Sequence, residues 1–326
     1  MNRVLITRKI PENGINMLSE YFDVDVNEED RNLTYSEIIE RVKGCFGIVS
    51  MVSDNIDKNI IDSAADLKII ANYGVGFNNI DITYASSKGI FVTNTPDVLT
   101  QSTAELGWSL IMSVSRRITE ADSFVRNGEF NGFAPTLMLG KELYGKRLGV
   151  IGMGRIGSTI ARMARYGFNM DIVYYNRSKN RYENLVDARK TSLNNLLESS
   201  DVIVVTCSLN DDSKYLIDYD EFKLMKKDAV FVNISRGAVV NTKALVQFAK
   251  ENKMFRCGLD VYEDEPNIDK ELLKLPSCVL LPHIGSATYS ARGKMAKIVA
   301  NNVISVYKGA RPDNLLNEEV LWRAKK

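Results

Sequence analysis

The sequence predicts an α/β protein made of two doubly wound parallel-sheet domains, and three observations carry that expectation. Short β-branched runs alternate with amphipathic stretches along most of the chain. The alternation occurs as two series, separated by one long helical stretch. At 326 residues the chain also exceeds a single ordinary domain of about 100–200 residues.

In the first series, Val4–Ile6, Gly47–Val52, Leu67–Ala71 and Ile90–Thr93 read as strands, with helical patterns at Ser36–Val42 and Asn59–Ala65 between them. The opening Met1-Asn-Arg-Val-Leu-Ile-Thr-Arg has three consecutive apolar residues before charge returns, too few for a signal-peptide core, so it is the first strand. After the breaker Pro96, the spacing of Leu106, Leu110, Ile111, Val114 and Ile118 predicts one long helix over Thr100–Val125. The second series places strands at Arg147–Ile151, Asp171–Tyr175, Asp201–Thr206, Ala229–Ile234, Arg256–Leu259 and Val279–Leu281. Between them Asn241 caps a helix to Glu251 whose Ala244, Leu245, Phe248 and Ala249 share one face. A last helical stretch, Ala291–Tyr307, is expected to return to the first domain. The expected division is therefore 1–99, 100–286 and 287–326, with the two outer segments forming one domain.

Bulk properties narrow the function. With 42 basic and 41 acidic side chains the net charge is +1, which gives no electrostatic reason for a nucleic-acid or anionic-membrane partner. No stretch approaches the ~20 apolar residues of a membrane span. Cys45, Cys207, Cys257 and Cys278 lie far apart without metal-ligand spacing, and a chain of this size needs no disulfide staples. Reduced thiols, a cytoplasmic location, no metal and a small-molecule substrate are the expectation.

The stretch Leu148-Gly-Val-Ile-Gly-Met-Gly-Arg-Ile-Gly157 sets Gly152, Gly154 and Gly157 directly after a strand. Glycine inside regular structure costs roughly 0.5–1 kcal/mol relative to alanine, so three together need a geometric reason. A tight strand-to-helix turn that approaches a pyrophosphate supplies one. The next strand ends at Asn176, nineteen residues after Gly157, where a side chain for the adenosine ribose belongs. Asn176-Arg177-Ser178-Lys179 offers no carboxylate to repel a 2′-phosphate, which favours NADP over NAD, with NAD still possible.

Three more strand ends carry chemistry. His283, the single histidine, follows Val279-Leu-Leu-Pro; Arg236 follows Asn233-Ile-Ser; and Glu263, Asp264 and Glu265 follow Gly258-Leu-Asp260-Val-Tyr. An acid–base group, an anion clamp and a carboxylate thus rise at the sheet edge where open α/β folds bind ligands. Imidazole has the pKa of a general acid near neutrality, and a carboxylate partner favours its charged form. Arginine's planar fork grips a 2-oxo-carboxylate as lysine could not. Gly74-Val75-Gly76 reads either as a backbone nest for a carboxylate or as a plain turn.

This arrangement resembles the D-isomer-specific 2-hydroxyacid dehydrogenase family over nearly the whole chain, and within it looks most like glyoxylate/hydroxypyruvate reductases. The likeness is carried by Asn72-Tyr-Gly-Val-Gly-Phe-Asn-Asn-Ile-Asp81, Thr95-Pro-Asp-Val-Leu-Thr-Gln-Ser-Thr-Ala-Glu105, the glycine turn, Asn233-Ile-Ser-Arg-Gly237, Gly258-Leu-Asp-Val-Tyr-Glu-Asp-Glu-Pro266 and Pro282-His-Ile-Gly-Ser286. It implies a Rossmann cofactor domain inserted into a flavodoxin-like substrate domain. It also implies a homodimer and a catalytic trio of Arg236, Glu265 and His283, of which the motif before Pro266 selects Glu265. Substrate contacts then fall on Met51 within Ser50–Ser53, on the Val75 and Gly76 backbone, on Arg236 and on Ser286; the inward side chain of Ser50–Ser53 depends on strand register. Cofactor contacts fall on Thr103, Gly152, Gly154, Arg155, Ile156, Gly157, Asn176, Arg177, Ser178, Lys179, Cys207, Ser208, Ile234, Arg236, Asp260, His283 and Gly285. Cys207 is on this reading a pocket wall, since no nucleophile motif accompanies it.

One departure bears on substrate. Relatives acting on glyoxylate can carry a tryptophan, supplied by the partner subunit, where this chain has Phe130-Asn-Gly-Phe-Ala-Pro135. That leaves D-lactate-, 2-ketogluconate- and branched 2-oxoacid-type substrates open beside glyoxylate and hydroxypyruvate. Phosphoglycerate dehydrogenase is the nearest rival enzyme, and a dinucleotide-sensing corepressor is the rival outside enzymes.

Overall fold

The computed structural model describes residues 1–178, 180 and 182–323. The chain separates into two compact units, Met1–Leu99 with Ser286–Lys326, and Thr100–Gly285. The border falls one residue earlier than the sequence suggests, so Ser286 belongs to the first unit.

In the first unit, strands β1 (Arg3–Ile6), β2 (Asp23–Val26), β3 (Cys45–Met51), β4 (Ile69–Tyr73) and β5 (Phe91–Thr93) form a parallel sheet in the order β2-β1-β3-β4-β5. That is the flavodoxin-like order, whose switch point lies between the carboxyl ends of β1 and β3. Helices α1 (Glu12–Ser19), α2 (Tyr35–Arg41), α3 (Lys58–Asp62) and α4 (Ile82–Ser87) connect the strands. Thr34 and Glu37 cap α2 reciprocally, and Asp57 and Asp81 cap α3 and α4, so these short helices start where polar side chains satisfy their first N–H groups.

The second unit opens with α5 (Thr100–Arg116) and α6 (Ile118–Arg126). These replace the single helix expected over Thr100–Val125. Arg117 takes a left-handed φ of 55°, its guanidinium turns onto Glu120, and the Ser115 carbonyl accepts from the Lys141 N–H instead of continuing the helix. Then follow β6 (Arg147–Ile151), α7 (Arg155–Phe168), β7 (Asp171–Tyr175), β8 (Arg189–Lys190), α8 (Leu193–Ser199), β9 (Val202–Val205), α9 (Tyr219–Leu224), β10 (Val230–Asn233), α10 (Thr242–Glu251), β11 (Arg256–Leu259) and β12 (Cys278–Leu280). Their order, β12-β11-β10-β9-β6-β7-β8, is the dinucleotide-fold order with one strand added, and every pairing is parallel. All seven carboxyl ends consequently lie along one edge. Side-chain alternation in β10 divides the core between the sheet's two faces. Val230 and Val232 join Leu110, Val114 and Ile160 on one side, while Phe231 packs with Phe222 on the other, ring centroids 5.4 Å apart.

The edge strands β2 and β8 carry little apolar signal, and sequence periodicity misses both. The expectation of four reduced thiols is corrected too. β11 and β12 pair with Cys257 opposite Cys278, which form a disulfide with Cα atoms 4.6 Å apart; Cys45 and Cys207 are free. Twenty-one residues of separation hid that adjacency. No helix among the described residues is long and apolar enough to cross a membrane.

The return segment, α11 (Tyr289–Tyr307) and α12 (Val320–Arg323), completes the first unit. α11 packs on α1 and β4, and Asn13 donates to the Gly293 carbonyl at 2.9 Å. Downstream, the buried Asn317 accepts from the Val92 N–H (2.8 Å) and donates to the Ile90 carbonyl (2.8 Å) and the Ser86 hydroxyl (3.0 Å). Removing this amide strands a donor and an acceptor in the interior. Asn317→Ala is expected to lower unfolding free energy by about 2–4 kcal/mol, measured by urea denaturation, since a lost buried partner costs ~1–3 kcal/mol.

Candidate active site

The glycine turn leaves β6 with three different demands on its backbone. Gly152 has φ +94°, and a Cβ there would lie 2.3 Å from the Cys207 nitrogen. Gly157 sits in α7 where a Cβ would come within 2.7 Å of the Gly152 carbonyl oxygen and the Thr206 hydroxyl, so helix and sheet meet closely. Gly154, at the helix N-cap, faces open space. Arg155 and Ile156 begin the helix, whose first N–H groups and partial positive charge suit a pyrophosphate in that space. The residues therefore fit a dinucleotide.

Asn176 does something the sequence did not announce. Its Oδ1 accepts from the Met153 N–H at 2.7 Å, so this side chain braces the glycine turn from the end of β7. Arg177 is about three-quarters exposed and paired with the equally exposed Asp212 at 2.9 Å. Ser178 is exposed, and Lys179 lies outside the described residues. Along the same edge, burial pushes the Cys207 thiol up to about 11, which keeps it protonated and suits a wall more than a nucleophile. The Ser208 carbonyl accepts from Ser213 at 2.8 Å, and Ile234 is buried beside Gly107.

The trio gathers at the ends of β10, β11 and β12. Glu265 Oε2 lies 2.8 Å from His283 Nδ1, and Glu265 Oε1 accepts from the Tyr262 N–H at 2.9 Å. Burial alone would raise the Glu265 carboxyl; the hydrogen bond and charge of His283, the Tyr262 N–H and the Arg236 charge outweigh it and hold the group below the ordinary carboxylate range. The competing acids are engaged elsewhere, Glu263 with the Tyr215 hydroxyl and Asp264 with Asn267. Geometry thus separates three neighbours that composition could not. Arg236 is half-buried with Nη1 on the Ser235 carbonyl at 2.8 Å, and burial lowers its pKa against the pull of Glu265. Gly237 follows because any Cβ would overlap the Tyr262 backbone, 1.8 Å away, and force the Glu265 loop off Arg236.

His283 itself has φ +54°, an uncommon conformation for a side-chain-bearing residue. Asp260 holds it there: its two oxygens accept from the Ile284 and Gly285 N–H groups at 2.7 and 2.8 Å. Burial raises the Asp260 carboxyl, opposed by those N–H bonds and by His283. Thr103 of α5 closes the turn, 3.1 Å from where a Gly285 Cβ would sit.

The first unit holds the remaining candidates. The Val75 carbonyl accepts from Asn94 at 2.8 Å and the Gly76 carbonyl from Asn72 at 2.7 Å. Their N–H groups have no protein acceptor among the described residues, which leaves a donor pair available for an anion. Met51, half-buried, ends β3, and Ser286 precedes α11 with its carbonyl on the Thr288 N–H. Sequence reasoning missed Asn72 and Asn94; their signal was a polar amide closing an otherwise apolar strand. Phe130 and Phe133 are 57% and 92% exposed on the segment after α6, a helix with no buried residue. No cluster of three or more His, Cys, Asp or Glu among the described residues could hold a metal.

Comparison with known proteins adds to this geometry. Residues 108–285 match the family described as D-isomer specific 2-hydroxyacid dehydrogenase, NAD binding domain. The chain is 47% identical over 324 residues to the glyoxylate reductase of Thermococcus kodakarensis, covering 98% of this chain and 97% of that one. It is 46% identical to the glyoxylate reductase of Pyrococcus furiosus, covering 98% and 96%. Among solved structures, the NADPH-dependent glyoxylate/hydroxypyruvate reductase of Sinorhizobium meliloti, in complex with NADP and malonate, is 28% identical with a TM-score of 0.84, covering 98% of this chain and 97% of that one. A Thermus thermophilus protein, 36% identical, superposes with a TM-score of 0.90 over 96% and 99%.

Two measurements check the geometry. Gly154→Ala is expected to melt like the parent while weakening dinucleotide binding, whereas Gly157→Ala should lose about 1–3 kcal/mol of stability through overpacking, both read by thermal melts and fluorescence titration. Because the folded pKa of Glu265 is depressed, its contribution to stability is complete above the ordinary value of about 4.3 and disappears as pH falls through the lower folded value. Glu265→Gln should therefore flatten the acid limb of the stability–pH curve; an unchanged limb would remove the pairing.

Proposed function

Because the chain belongs to the D-isomer-specific 2-hydroxyacid dehydrogenase family, we propose that it reduces small 2-oxoacids of the glyoxylate and hydroxypyruvate type to D-2-hydroxyacids. The observation that carries this reading is the His283–Glu265 pair, with the Arg236 charge beside it, on the same sheet edge as the glycine turn. Names of relatives point the same way: the Thermococcus kodakarensis and Pyrococcus furiosus proteins, alike over nearly the whole chain, are glyoxylate reductases.

A nicotinamide dinucleotide supplies the hydride when bound. His283 holds the proton that the new alkoxide oxygen takes up, and Glu265 on Nδ1 leaves Nε2 as the face that delivers it. Arg236 grips the oxoacid and polarises its carbonyl with a guanidinium that partial desolvation makes more effective. Within the first unit, the Val75 and Gly76 N–H groups are the donor pair suited to a carboxylate, and Met51 and Ser286 are its further candidate substrate contacts. Thr103, Ile234, Cys207, Ser208 and Asp260 form the dinucleotide's protein surroundings.

NADP is the preferred form on this reading. Arg177 reaches a 2′-phosphate by exchanging a largely exposed ion pair with Asp212, a partner that holds it weakly. The assembly is a homodimer in which α6 and the apolar segment bearing Phe130, Phe133, Leu137 and Leu139 meet a second copy, since these side chains are exposed in one chain.

Absorbance of NADPH in the presence of glyoxylate, hydroxypyruvate and larger 2-oxoacids tests the reaction. Turnover with the small acids is expected; dinucleotide binding without any turnover would point to a sensor instead. His283→Ala should lower kcat by ~10²-fold or more with dinucleotide affinity nearly kept. Arg177→Ala should reduce the NADPH-over-NADH preference by about ten- to a hundred-fold. A wild-type preference for NADH would overturn the NADP assignment.

A further inference from the structure

The first unit contains a polar network built on Asn79 and Asp54, two residues that no role above uses, and it sits at the switch point between β1 and β3. Asn79 donates through Nδ2 to the Met51 carbonyl at 3.1 Å and the Asp54 carbonyl at 3.0 Å, with the Asn72 Oδ1 a further 3.4 Å neighbour. Its own backbone carbonyl accepts from Ile56 at 2.8 Å, and Ile56 in turn accepts from Asp81. Asp54, 4% exposed, accepts through Oδ2 from the Met51 N–H at 2.7 Å and from the Thr7 hydroxyl at 2.5 Å. Both backbone polar groups of Met51, its N–H and its carbonyl, are therefore held by side chains. Asn72 carries the connection onward to the Gly76 carbonyl.

Asn79 Oδ1 is buried without a donor, an uncompensated cost. Reversing the amide would not cure it, because that would set an oxygen against two carbonyl oxygens. The amide is tolerated for what its N–H pair does: it fastens the loop carrying Met51 to the loop carrying Val75 and Gly76.

We infer that Asn79, with Asp54, is a positioning residue that fixes the spacing of these two loops and thereby selects substrates by the size of the substituent on the 2-oxoacid's carbonyl carbon. The inference rests on the functional reading above, because it takes both loops to face the oxoacid. Neither residue touches substrate in this scheme. Each acts through backbone it holds in place, where a misplacement of about 1 Å can cost ~10²-fold.

Asn79→Asp keeps the size and removes the donors. It is expected to raise KM for glyoxylate about tenfold, leave kcat within about threefold, and lower the kcat/KM ratio of hydroxypyruvate over a branched 2-oxoacid. Asp54→Ala should do the same, and Asp54→Asn, which retains an acceptor for the Met51 N–H, should recover most of that loss. Unchanged KM and ratio, or a fall in kcat alone, would overturn the inference. If Asn79→Asp does not melt cooperatively, Asn79→Ser and the Asp54 pair decide by the same criteria. Amide hydrogen exchange of 51–56 and 74–79 is read on the same proteins: faster exchange in both segments together is expected, and unchanged exchange overturns the proposal. That readout needs no turnover, so an inactive wild-type enzyme would sink the functional reading, whereas an active one with unmoved exchange would sink only this inference.

Discussion

The candidate site depends on one buried carboxylate. Asp260 accepts from two consecutive N–H groups, those of Ile284 and Gly285, and so holds the turn that carries the only imidazole in the chain. A left-handed backbone at a residue with a side chain costs roughly 1–2 kcal/mol. A buried hydrogen bond contributes about 0.5–1.5 kcal/mol net, and stranding either N–H would cost ~1–3 kcal/mol more, so two of them offset that cost. Glu265 then sets the ring's other coordinate through Nδ1. The imidazole is consequently fixed at its backbone and at one ring nitrogen, and only the second nitrogen is left for a reacting group.

Charge is balanced locally. Arg236 and His283 stand against Glu265 and Asp260, and burial works against the charged forms of Arg236, Asp260 and Glu265. Depressing Glu265 while raising Asp260 separates their roles. The first remains an anion for the ring; the second is bound more by hydrogen-bond geometry than by net charge. An anionic substrate would meet an arginine whose carboxylate partner is already committed to histidine.

How much of this was legible in the sequence follows from what each feature demands of a residue type. The glycine turn was legible because a left-handed φ at Gly152 and contact at Gly157 exclude side chains outright. The strand ends with Arg236, Glu265 and His283 were legible because polar groups interrupt apolar runs, although the choice among Glu263, Asp264 and Glu265 needed the family motif. The break at Arg117 was not, since a carbonyl diverted to Lys141 leaves no local mark. Nor was the pairing of Cys257 with Cys278, which depends on strand register. The bracing of the turn by Asn176 was not legible, since its amide meets the Met153 N–H only once β6 and β7 pair. Asn72, Asn79 and Asn94 were passed over because each satisfies backbone groups brought near only by folding.

The discontinuous first unit has a consequence for biosynthesis. Emerging from the ribosome, residues 1–99 lack α11, which packs on α1 and β4, and lack Asn317, which closes β5. The 100–285 unit is whole before either arrives. Chains fold as they are made, domain by domain, so the inserted unit matures first and the five-stranded sheet waits with apolar surface uncovered. Meanwhile a folded insert shortens the flexible path between the two segments, which lowers the entropy lost when they meet.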